Sequence, residues 1–94
     1  MKNRKLVLVS DTGYDQKHDD LLLSILDKGY ELFCSVGVDC ELWEAIMDEL
    51  AVGDGNYPRY ITTTSHSGET ESDVIEFAKM FRTSVASGVD IVRV

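Results

Sequence analysis

The sequence predicts a single small α/β domain spanning residues 1–94, with the order β-α-β-α-β-α-β and a four-stranded, mainly parallel sheet. Three observations carry this. Apolar runs of strand length alternate with apolar patterns of helical spacing along the chain. A length of 94 residues is one domain's worth. With 44% hydrophobic and 28% charged residues and a single proline, the composition belongs to a chain that folds around a core rather than to a disordered or low-complexity one. Strands joined through helices need right-handed crossovers, which set the strands parallel.

Residues 6–10 are a short valine-rich run without polar alternation, as expected of a central strand covered on both faces. Over 15–28, Leu22, Ile25 and Leu26 recur at helical spacing, and Lys28-Gly29 supplies a cation for the last turn and a glycine for the cap. Residues 30–38 alternate, which predicts a strand more exposed than the first. Asp39 is placed to cap a helix over 40–52 whose buried stripe is predicted as Leu42, Ala45, Ile46 and Leu50, closed by Gly53. Asp54-Gly55-Asn56 is turn chemistry.

Residues 57–65 are rich in β-formers, with Pro58 tolerable near the start, and predict the third strand. Thr70 caps a third helix over 71–83, with Val74, Ile75, Phe77, Ala78 and Phe81 as its buried stripe. Residues 89–94 form a last strand, and Asp90 and Arg93 mark it as an edge. Two strand orders are sensible: 2-1-3-4, as in flavodoxin-like domains, or 3-2-1-4, as in half of a Rossmann fold. The first is preferred, since it puts the most apolar strand inside and the charged fourth strand at an edge.

The charge balance narrows the partners. Nine Lys and Arg face 17 Asp and Glu, and three of the cations are Lys2, Arg4 and Lys5, so residues 6–94 carry 6 cations against the same 17 acids. A body at minus 11 repels phosphate backbones, and nucleic acid is not an expected partner. No segment approaches the ~20 apolar residues of a membrane helix, and the apolar run after the basic start is too short for a signal peptide. Two cysteines, Cys34 and Cys40, without Cys-x-x-Cys or zinc spacing, suit a cytoplasmic protein with reduced thiols. Cys34 is read as core and Cys40 as incidental; its helix start makes Cys40 the more reactive candidate of the two, an effect that Asp39 and Glu41 oppose.

In a parallel sheet the carboxyl ends of all strands share one rim, where α/β domains bind ligands at the point of strand reversal. That rim gathers Asp11 and Thr12 after strand one, Asp39 after strand two, and Ser65, His66 and Ser67 after strand three. In the 2-1-3-4 order Asp11 would face His66, orienting the imidazole as a general base, with Ser10, Ser65 or Ser67 as nucleophile. No Gly-x-Ser-x-Gly elbow and no glycine-rich phosphate loop accompanies them, and acids at every helix start repel anions. Asp11 with Asp39 is the candidate Mg²⁺ pair, and Asp15, His18 and Asp19 a candidate surface clip. Trp43, Met47, Tyr57 and Tyr60 are candidate residues for an interface with a protein partner or a second copy. These residues rank a non-enzymatic protein-interaction module, as a homodimer or with another protein, first. A small-molecule or Mg²⁺-binding domain at the sheet rim ranks second, and a His66-dependent hydrolase third.

Overall fold

A computed structural model describes residues 3–56 and 58–94. Its single sheet contains β1 (Lys5–Ser10), β2 (Leu32–Gly37), β3 (Thr62–His66) and β4 (Val89–Arg93), all parallel, in the spatial order β3-β2-β1-β4. α1 (Asp19–Asp27) joins β1 to β2, α2 (Cys40–Val52) joins β2 to β3, and α3 (Glu71–Met80) carries the chain back to β4. The first two crossovers step the same way and the third reverses past two strands. Right-handed connections therefore put α1 and α2 on one face of the sheet and α3 on the other.

Two apolar layers result. Leu6, Leu8 and Phe33 point toward α1 and α2, meeting Leu22, Ile25, Leu26, Trp43, Met47 and Ala51. Val7, Val9, Leu32, Cys34 and Val36 point the other way, onto Val74 and Ala78 of α3. β1 is buried along its whole length because it has strands on both edges and helices on both faces. Lys5 belongs to this buried run, and its Nζ reaches the Lys79 carbonyl at 3.1 Å, placing a cation on the carboxyl end of α3.

The preferred 2-1-3-4 order is corrected to 3-2-1-4, and the reason lies in which strand can be interior. Residues Leu32, Phe33, Cys34, Ser35 and Val36 of β2 are all buried, so β2 is not the more exposed strand its alternation suggested. Its one polar residue, Ser35, donates its hydroxyl to the Cys40 carbonyl at 2.6 Å. β3 reads Thr-Thr-Thr-Ser-His, and burying those hydroxyls on both faces would leave most of them without partners. At the edge, Thr63 reaches Asp48 at 2.6 Å and Ser65 reaches Glu44 at 2.9 Å.

The helices also differ from expectation. The first begins with a 3₁₀ turn, Gln16–His18, held by an Asp15 and His18 capping box, and α1 proper starts at Asp19. α2 buries Cys40, Trp43, Met47 and Ala51 rather than Leu42, Ala45, Ile46 and Leu50. The helix is rotated about one residue, roughly 100°, from the predicted stripe. Asp39 is its N-cap with φ 60°, but its side chain makes no cap bond. α3 ends at Met80, where Phe81 turns extended; Thr70 is its N-cap as predicted, and Asp73 completes a capping box with it. Phe77 is exposed, and Ile75 and Phe81 only partly buried. The third strand starts at Thr62 rather than at 57, and Tyr57 lies outside the described residues.

Candidate functional site

The strand order moves the reversal point to the gap between β1 and β4. There Asp11 meets Arg93, whose Nη1 lies 3.0 and 3.2 Å from its two carboxylate oxygens, while Arg93 Nη2 reaches Glu71 at 2.5 Å. The Asp11 hydrogen bonds, then those of Glu71, raise the Arg93 pKa. All three groups are solvent-exposed, so this is a screened surface network that closes the reversal point with its own counterion. Thr12 beside it is exposed.

Asp11 does not face His66. Two strand spacings separate β1 from β3, about 10 Å. His66 has a different carboxylate: its Nδ1 lies 3.0 Å from Glu69, its Nε2 lies 2.8 Å from the Thr64 hydroxyl, and its ring stands edge-on to Phe77 at 4.9 Å. His66 is only 7% exposed. A hydroxyl, an imidazole and a carboxylate thus form a chain, but the hydroxyl is that of Thr64. Among the serines considered, Ser10 bonds to Gly13 and Trp43, Ser65 bonds to Glu44, and Ser67 is exposed on the turn after β3. His66 and Glu69 at i, i+3 was the legible part of this chain. Thr64 was not, because it becomes a partner only once β3 is extended and both side chains share a face.

The aspartates also diverge. Asp39 accepts the Tyr14 amide at 3.1 Å, tying the β2–α2 turn to the β1–α1 loop. Gly13 in that loop has φ 91°, and an added Cβ would stand 2.7 Å from the Asp39 carboxylate. Asp11 turns to β4 and Asp39 to the Gly13–Tyr14 loop, so the two carboxylates serve different partners. Asp15, His18 and Asp19 are likewise divided. Asp15 takes the Lys17 amide, His18 takes the Asp15 amide, and Asp19 accepts the Tyr14 hydroxyl. That last bond, foremost, pushes the Tyr14 pKa up to about 12. Among the described residues no three His, Cys, Asp or Glu side chains converge in a way that could hold a metal ion. The remaining rim feature is a cleft of about 310 Å³ between the ends of β2 and β3, lined by Asp39, Glu41 and Ser67 among others.

The interface candidates separate cleanly. Trp43 and Met47 are fully buried, so they are core of this domain and present no surface to a second copy. The Trp43 indole packs beside Tyr14 and His18 and donates to Ser10 at 3.0 Å. Tyr60 is 91% exposed, and Tyr57 falls outside the described residues. In their place, the apolar stripe that α2 turns away from the sheet lines a groove. Ala45, Ile46, Leu50 and Val52 join Leu23 of α1 around an open volume of about 880 Å³.

The fold and its rim define a small doubly wound parallel α/β domain with the strand order of one Rossmann half. The chain belongs to the family of the domain of unknown function DUF7684, whose family model matches residues 1–94. No curated protein and no solved structure matches it. Among the described residues, no helix is long and apolar enough to cross a membrane.

Proposed function

We propose that this domain is a non-enzymatic protein-interaction module of the cytoplasm that self-associates through its β4 edge. The supporting observation is the side of β4 turned away from β1, which no strand among the described residues pairs. Val94 donates to Val9 and accepts from Asp11, so residues 90, 92 and 94 bond inward to β1 while the N–H and C=O groups of Val89, Ile91 and Arg93 point outward. Ile91, at the centre, leaves 49% of its surface exposed. An antiparallel pair of β4 strands about a two-fold axis at Ile91 opposes Ile91 to Ile91, Val89 to Arg93 and Asp90 to Val92, with no like charges facing. The other edge suits this less, because Glu44 and Asp48 of α2 border β3 and would repel their copies. The cytoplasmic part of the reading rests on Cys34 and Cys40, both free and buried.

Light scattering over a concentration series tests the dimer. Wild type is expected to shift from monomer to dimer mass. Ile91→Pro, which removes an outward N–H and no ladder bond, should stay monomeric with unchanged circular dichroism. A wild-type monomer mass independent of concentration overturns self-association.

A second reading, a hydrolase, draws support from the Thr64, His66 and Glu69 chain, with His66 as general base. An esterase and phosphatase screen should then give activity lost in both His66→Ala and Thr64→Val, and a silent screen removes it. A small-molecule or Mg²⁺ site at the rim rests on the Asp39, Glu41 and Ser67 cleft. It predicts a ligand-induced rise in melting temperature that Asp39→Asn abolishes.

A further inference from the structure

α2 carries more apolar surface than one face can use. Turning Trp43 and Met47 to the sheet leaves Ile46 and Leu50 along the flank toward α1, one helical turn apart and both half-buried. Leu23, 39% exposed, stands on the facing flank of α1. The groove between them is about 880 Å³, and its charged lining is Asp19, Asp48 and Glu49, with no Lys or Arg among the residues that form it.

Apolar floor and acidic border together select an occupant. A second copy would bring Asp19, Asp48 and Glu49 against themselves in a chain already at net minus 8. Anionic membrane surfaces and nucleic acids are repelled for the same reason. What matches is a cationic segment with one apolar face. Laid along the two helices, it would seat apolar residues at i, i+3, i+4 and i+7 on Leu23, Ile46 and Leu50 and hold Lys or Arg over the border acids. We propose that the α1–α2 groove docks a basic amphipathic helix contributed by another protein. This is a specific form of the interaction-module reading, and it is independent of β4 pairing, which uses an edge of the sheet rather than this helical face.

The probe is a fluorescein-labelled synthetic helix of Leu and Lys with apolar residues at that spacing, followed by anisotropy. Two comparators are the same helix with Glu for Lys, and a scrambled Leu/Lys sequence of equal charge. Wild type is expected to bind the Leu/Lys helix, more weakly as salt rises, and to bind each comparator at least about fivefold more weakly. Leu23→Asn and Glu49→Lys alter exposed side chains, so both should stay folded, and each is expected to weaken binding at least about fivefold, a change that marks an interface residue of consequence. Ile91→Pro should bind as wild type does. Failure to bind the Leu/Lys helix, equal binding of the scrambled peptide, or binding unaffected by both groove variants overturns the proposal. In any of those cases a dimer lost in Ile91→Pro would leave the interaction-module reading standing on its own measurement.

Discussion

Ser10→Ala removes one oxygen and is expected to be costly, because that oxygen accepts two buried donors. The Trp43 indole N–H reaches it at 3.0 Å and the Gly13 amide at 3.1 Å. Ser10 is 2% exposed and Trp43 fully enclosed, so water cannot readily replace the acceptor. A buried donor left without a partner costs about 1–3 kcal/mol. With two donors orphaned, the expected destabilisation is about 2–4 kcal/mol. In a domain of this size that lowers Tm by on the order of 10–20 °C. Urea unfolding followed by far-ultraviolet circular dichroism measures it, and the single tryptophan supplies a second signal, since loss of the hydrogen bond changes its emission. The decisive comparison is a double-mutant cycle with Trp43→Phe, which lacks the indole donor. Removing donor and acceptor together should cost less than the sum of the single changes by at least about 1 kcal/mol. A Ser10→Ala loss below about 0.5 kcal/mol, or strict additivity with Trp43→Phe, would refute the claim that this hydroxyl joins the end of β1 to α2.

Three further outcomes are expected. Gly37 and Gly29 both have positive φ, but an added Cβ at Gly37 would lie 2.3 Å from the Ser10 carbonyl oxygen while at Gly29 it meets nothing within 4 Å. Gly29→Ala should therefore cost about 1–2 kcal/mol from backbone strain alone, and Gly37→Ala clearly more in the same denaturant titration. If the two prove equal, the close approach of β1 and β2 at the rim is wrong. Burial, followed by its bond to Asp90, pushes the Tyr30 pKa up to about 12, and that bond, aided by Asn3, holds Asp90 below the usual carboxylate range. The tyrosine contribution is thus complete below about pH 10 and is lost as pH rises toward 12, whereas the Asp90 contribution is present above about pH 4 and is lost as the solution is acidified past its folded pKa. Tyr30→Phe should flatten the alkaline decline in stability, and an unchanged decline would exclude Tyr30 as its source. Cys34 and Cys40 are both buried, and burial raises the Cys34 pKa. An aromatic disulfide reagent should modify neither until denaturant is added, and rapid native-state labelling of Cys40 would contradict its enclosure.

Much of the architecture is written in local pattern. The unbroken apolar run of β1, the Leu22, Ile25 and Leu26 spacing of α1, the Thr70 cap and the charged last strand each name their element, because periodicity and capping depend only on near neighbours in the chain. They also fix the parallel sheet, since helical connections of this length admit little else. The tertiary structure decided the pairings. Whether β2 or β3 lies inside turns on how many hydroxyls an interior strand would bury, and the Thr-Thr-Thr-Ser-His run of β3 is the stronger penalty. That choice took Asp11 away from His66 and gave it Arg93, while Thr64 and Glu69 became the neighbours of the imidazole. It also decided which stripe of α2 became core. Apolar residues run around most of that helix, so its periodicity allowed either stripe. Docked over β2 and β3, α2 buries the side that carries Trp43, the bulkier filling for the space above the sheet, and leaves Ile46 and Leu50 on the flank that borders the groove.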